Sequence, residues 1–262
     1  MRTKLLLSAT SLVFVTAAGA GFVGAGSIMN TPASAEEVSP VAAAVIDAEP
    51  ARTTTAKTNA EVAYDALSRK VARQSHPNAL KVAFEAYFNY RDANPNQVRK
   101  PYLYYIDYGL SNTTPRGYVF NMNTLDIVEG PFTVAHGRGS GARNGVPTRF
   151  SNTSGSAMNS LGLYLTQETY NFSGTSGGRR YSSIGLRMKG LSGKHNSNAR
   201  ARGVVVHGAP YVTAGQAGRS EGCPAMEQAR ARRLLPDLAR GSLVFVFAPN
   251  SSWMASDPWI NA

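Results

Sequence analysis

The chain has 262 residues, with 27 Lys and Arg against 16 Asp and Glu, a formal charge of +11, and one cysteine. That length allows one domain with attachments. The lone thiol excludes an intramolecular disulfide framework, and the excess of positive charge, spread along the chain, suggests an anionic partner.

The N-terminus carries Arg2 and Lys4, an apolar small-residue stretch from Leu5 to about Ile28, and then Ala33-Ser34-Ala35. This layout predicts a secretory signal peptide over residues 1–35. The small-residue site and the following Glu36-Glu37 favour cleavage over a retained anchor. No later segment is apolar enough to span a bilayer. The expectation is an exported protein, in the periplasm or the cell wall and extracellular space, with no stable membrane insertion after cleavage. Its charge would be +9, from 25 basic and 16 acidic residues. Outside the cytoplasm the abundant polyanions are envelope polymers and lipid head groups, which argues against nucleic acid. Nothing in the pattern bears on oligomeric state.

Residues 36–58 are rich in Ala, Thr, Pro and Glu without apolar periodicity and are expected to be a flexible linker. Residues 59–97 are expected to be helical. Ala63, Leu67 and Val71 recur at helical spacing, Ser75-His76-Pro77 breaks the pattern, and Leu80, Phe84, Tyr87 and Phe88 mark a second helix ended by Asn94-Pro95-Asn96. From residue 98 to 250 the pattern is β. YLYYIDY, GYVFNM, IVEGPFTVAHG, LGLYLT, IGLRMKGL, GVVVHGA and SLVFVFAP are short and rich in β-branched or aromatic residues, with turn residues between them. One helix interrupts, from about Pro224 to Leu238. The fold class is therefore mainly β, a mostly antiparallel sandwich or barrel with one helix at the site, preceded by two helices. The Gly/Ser-rich runs at residues 137–160 and 173–180 are expected to be loops, and residues 251–262 form a tail with no assigned element.

Cys223 stands between Gly222 and Pro224. Proline suits the first position of a helix and pushes the preceding residue into extended backbone. The expectation is that Cys223 caps a helix whose dipole stabilises a thiolate. A thiol nucleophile also needs a base. His76 belongs to the helix break and His195 to a polar loop. His207 and His136 each end a β run next to a glycine, and the residues alone leave these two open. No zinc motif is present, metal ligands and cofactors are not expected, and GRSEGC is not the G-x-S-x-G of a serine hydrolase.

Several stretches also carry a resemblance: AHG at residues 135–137, FSNT at 150–153, LGLYLT at 161–166, NARARGVVVHGA at 198–209 and GRSEGCPA at 218–225. Together they resemble the murein L,D-transpeptidase catalytic domain family, a branch of the YkuD-like L,D-transpeptidases, over about residues 80–250. The resemblance implies an enzyme that cuts and rejoins peptidoglycan stem peptides. It implies Cys223 as nucleophile, His207 as base held by a backbone carbonyl, and Ser220 and Gly222 as residues shaping the turn and oxyanion hole. Most of the superfamily has an arginine two residues after the cysteine. Here that position is Ala225, and Arg219 is the candidate to replace it. Gly208 and His136 are further candidates for the substrate cleft. The alternatives are a non-catalytic basic cell-wall-binding protein, an L,D-carboxypeptidase and a cysteine peptidase acting on ordinary protein.

Overall fold

The computed structural model describes residues 56–262. The expected signal peptide and residues 36–55 of the expected linker lie outside the described residues. Helix α1, Asn59–Leu67, starts at Thr58, whose side chain accepts from Glu61 N–H while the Glu61 carboxylate accepts from Thr58 N–H. This reciprocal cap satisfies two donors that a helix start otherwise leaves open. Helix α2, Ala79–Ala93, buries Leu80, Ala83, Phe84 and Tyr87, with Phe84 set edge-on against Phe120 at 5.6 Å. Among the described residues no helix is long and apolar enough to cross a membrane.

The β body has ten strands: β1 Tyr102–Asp107, β2 Gly117–Asn121, β3 Asp126–Phe132, β4 His136–Gly137, β5 Gly162–Ser176, β6 Arg179–Gly190, β7 Val205–Ala209, β8 Arg219–Ser220, β9 Ala225–Glu227 and β10 Leu243–Phe247. Eight form one mixed sheet in the order β3-β2-β1-β10-β5-β6-β7-β9, and β4 pairs with β8 separately. Only β1/β10, β7/β9 and β4/β8 are parallel. β10 is buried throughout, as LVFVF demands of a strand at the centre of a sheet.

The two ends of the sheet meet. Just past β3, Ala135 bridges to Ala225 in β9, with Ala135 N–H donating to Ala225 O at 2.8 Å. Helix α3, Gln228–Leu238, lies against β6 and β7. From it Arg230 and Arg233 reach Glu129 of β3 at 2.9 and 2.6 Å, and Arg230 lies over the Phe132 ring. Closure brings the loop before β9, the end of β4 and strand β7 to one place.

Two sequence expectations change here. Residues 173–180 are not a loop: β5 and β6 pair out to Ser176↔Arg179. Gly177 and Gly178 make the turn with φ of 55° and 76°, the conformation a two-residue hairpin requires and glycine supplies. The expected helix at Pro224 begins instead at Gln228, and Ala225–Glu227 is β9. Backbone pairing with β7 outweighs the local preference of proline for a helix start. The tail is also built in: α4, Ser251–Met254, buries Trp253. Trp253 Nε1 donates to the buried Asp257 carboxylate at 3.1 Å, and Trp259 Nε1 donates to Leu191 O at 2.9 Å.

Candidate active site

His207 sits in the middle of β7, in register with Ala225 of β9, and donates its N–H to Pro224 O at 3.2 Å. Cys223 lies two residues before Ala225, about 7 Å along the strand direction from the level of His207. The register brings Cys223 and His207 into neighbouring segments although sixteen residues separate them in sequence. The thiol Sγ lies 3.8 Å from Gly203 O, with the Val205 N–H and the Arg202 guanidinium also near it. No hydrogen bond joins it directly to His207 among the described residues.

The tautomer of His207 is set by its neighbour. Nδ1 lies 3.1 Å from Gly208 O, and a carbonyl only accepts, so Nδ1 carries the proton and Nε2 keeps its lone pair. The ring is 2% exposed and stacks on Phe172 at 4.1 Å and 20°. Phe172 comes from the outer half of the β5–β6 hairpin, beyond the pairing of β6 with β7 at Gly185–Arg187. Burial lowers the His207 pKa to about 4, against the opposing effect of the Gly208 carbonyl. Burial likewise raises the Cys223 thiol above its ordinary value, outweighing Val205 N–H and Arg202, which pull it down. The resting pair is therefore a neutral thiol and a neutral imidazole. This corrects the helix-capped thiolate expected from Pro224, because α3 starts at Gln228, beyond β9.

A tight turn holds the thiol loop. Ser220 Oγ donates to Cys223 O at 2.6 Å and accepts from Gly222 N–H at 3.2 Å. Gly222 has φ +116°, and a Cβ there would stand 2.9 Å from Met158 O, so both conformation and space demand glycine. Gly222 N–H is thus engaged, whereas the Cys223 N–H has no acceptor among the described residues and is free to donate.

Asn159, which sequence reasoning missed, ties this turn to β4. Its Nδ2 donates to Gly222 O at 2.9 Å, its Oδ1 accepts from Gly137 N–H at 2.7 Å, and its own N–H donates to Ser140 Oγ at 2.8 Å. Replacing Asn159 by alanine strands two buried backbone groups, and each typically costs about 1–3 kcal/mol. The expected loss is roughly 2–4 kcal/mol in equilibrium urea unfolding. A loss below about 1 kcal/mol would show that these groups find other partners.

The remaining sequence candidates are placed differently. His136 is fully buried: Arg116 donates to its Nδ1 at 3.1 Å, which leaves Nε2–H to donate to Ala142 O at 3.2 Å. Both nitrogens are spent on the protein, so its expected place in the substrate cleft is not supported. Arg116 is itself buried, donates to Val134 O and Leu110 O, and lies over the Tyr108 ring. Gly208 faces α3, where a Cβ would stand 2.8 Å from the Ala231 Cβ. Its carbonyl is the group that faces His207 Nδ1. Arg219 is exposed and donates to Gly141 O at 3.3 Å; the arginine charge beside the thiol belongs to Arg202. Among the described residues no group of three or more His, Cys, Asp or Glu side chains is placed to hold a metal.

The chain is similar to several solved structures. An L,D-transpeptidase from Mycobacterium smegmatis shares 15% identity over 56% of this chain and 59% of its own, at a TM-score of 0.36. One from Xylanimonas cellulosilytica shares 13% over 56% and 61%, at 0.34. One from Stackebrandtia nassauensis shares 13% over 64% and 66%, at 0.34. The chain thus spans about three-fifths of the length of the first two. No match is found among curated proteins. Residues 71–247 match the family model described as L,D-transpeptidase catalytic domain. That segment runs from just ahead of α2 to the end of β10, takes in β7 and the thiol loop, and makes up well over half of the sequence, so the chain belongs to the L,D-transpeptidase catalytic domain family.

Proposed function

We propose that this chain is an exported cysteine acyltransferase acting on peptidoglycan stem peptides. It cleaves the bond between the L-centre of the third stem residue and the terminal D-Ala, and passes the acyl group through a Cys223 thioester to an amine. The observation that carries the reading is the His207 tautomer: Nδ1–H is fixed on Gly208 O, which leaves an unprotonated Nε2 on a strand beside the chain's one thiol. The signal-like N-terminus is the support for export, and the family of the catalytic domain is the support for the substrate class.

The resting neutral pair makes His207 a general base. As Sγ attacks the scissile carbonyl, the thiol proton passes to Nε2, and the new oxyanion takes the Cys223 N–H. One preorganised donor of this kind is typically worth about 3–4 kcal/mol. Collapse breaks the C–N bond, and the imidazolium returns its proton to the departing D-Ala amine. The acceptor amine then attacks the thioester, gives its proton to Nε2, and the thiol is re-formed. An amine from a second stem gives a 3→3 cross-link; water gives a carboxypeptidase product by the same steps.

Incubation with a disaccharide-tetrapeptide, followed by mass spectrometry, tests the reading with Cys223→Ser as control. Loss of D-Ala or a cross-linked dimer is expected from the native chain and not from the variant. Equal activity in the variant overturns it.

A further inference from the structure

Arg202 lies in the turn ahead of β7, half-buried, and pairs with no carboxylate among the described residues. Its two terminal nitrogens donate four hydrogen bonds instead, all to one loop. Nη1 donates to Ser151 O at 2.7 Å and Ser160 Oγ at 2.6 Å, and Nη2 donates to Ser156 Oγ at 3.2 Å and Met158 O at 2.8 Å. That loop is what the thiol turn rests on. Met158 O abuts Gly222, and Asn159 holds Gly222 O. On the other side, the residue after Arg202 is Gly203, whose carbonyl faces the Cys223 Sγ. A planar fork with all four outer hydrogens satisfied fixes both position and angle, which an ammonium on a flexible stem does not.

We propose that Arg202 is a positioning residue for the nucleophile: it clamps the 151–160 loop to the turn before β7, and so fixes the Gly222–Cys223 peptide while placing a permanent positive charge beside the thiol. The other groups facing that thiol do not supply the charge. Glu221 opposes it from the thiol's own loop, but Arg138 Nε binds both Glu221 oxygens at 2.7 Å. Tyr108 of the β1 end, Tyr164 and Tyr170 of β5, Tyr181 of β6 and Tyr211 beyond β7 all sense the thiol, and burial raises each of them, so they stay neutral at pH 7. His207 of β7 is neutral as well.

The proposal rests on Cys223 being the nucleophile, and its test uses no substrate, so its failure is distinguishable from a failure of transpeptidation. The full chain and its Arg202→Gln and Arg202→Lys variants are compared by the pH dependence of iodoacetamide alkylation at Cys223 and by amide hydrogen exchange. In Arg202→Gln, exchange over 151–160 and 220–223 should rise about tenfold, the effect of losing one charge-assisted hydrogen bond. Alkylation at pH 7 should slow by about tenfold for each unit by which the thiol rises. Arg202→Lys should restore the alkylation profile and not the exchange protection. If Arg202→Gln does not fold, Arg202→Lys decides: faster exchange at both segments supports the clamp, and unchanged exchange overturns it. A folded Arg202→Gln with native exchange at 220–223, or with a native alkylation profile, overturns the proposal.

Discussion

Replacing His207 by glutamine is expected to slow acyl transfer roughly 100- to 10,000-fold, the usual span for loss of a positioned general base. The size follows from the resting protonation states. Burial holds the thiol protonated and the imidazole unprotonated, so no preformed thiolate is available to carry the reaction once the base is gone. Glutamine can still donate to Gly208 O and lie against Phe172, which leaves the site shaped but without a proton acceptor of suitable basicity. Turnover of disaccharide-tetrapeptide by mass spectrometry, with urea unfolding to show that the variant is folded, gives the comparison. Activity within tenfold of native, on the order of 1.4 kcal/mol in barrier, would remove His207 from the chemistry.

Lowering the pH from 7 to 5 should cost on the order of 3 kcal/mol of stability through two histidines alone. His136 and His207 are both buried, and burial brings each to a pKa of about 4; the Arg116 charge adds to the effect at His136. Unfolding returns each to about 6.5. Between those values the unfolded chain binds more protons, so stability rises with pH and is lost as pH falls from 6.5 towards 4. Asp107, whose carboxyl is raised by burial, works in the opposite sense over its own titration. Urea midpoints at pH 7, 6 and 5 read the slope, and His136→Gln should remove about half of the two-histidine contribution. Equal midpoints at pH 7 and 5 would mean that these imidazoles are not held neutral.

Local pattern made most of the strands legible. SLVFVFAP is apolar on both faces, and it is β10, paired on both sides. The extended hairpin was hidden because SGTSGGRR looks like a loop by composition, although its Gly177-Gly178 pair is a hairpin turn in itself. The start of α3 was misplaced because the partner of Ala225–Glu227 is β7, more than a dozen residues away, and proline rules see only neighbours. His136 and His207 are alike in sequence, each closing an apolar run beside a glycine. What separates them is Arg116 in one case and Gly208 O in the other, and neither contact has a local signature. Asn159 and Arg202 escaped for the same reason. Arg202 stands inside the NARARG stretch, but its partners are hydroxyls and carbonyls more than forty residues earlier in the chain.

The place of β10 has a consequence for how the chain acquires its structure. In the sheet order it stands between two blocks, β3-β2-β1 and β5-β6-β7-β9, and it is the last in sequence of the described strands. Its register with β1, Leu103↔Leu243, closes a very long loop. Such distant pairing is slow to form and leaves apolar edges open until it is made. The sheet therefore cannot be completed until residues 243–247 are free to pair, and until then Leu103–Asp107 lacks the parallel neighbour that buries it.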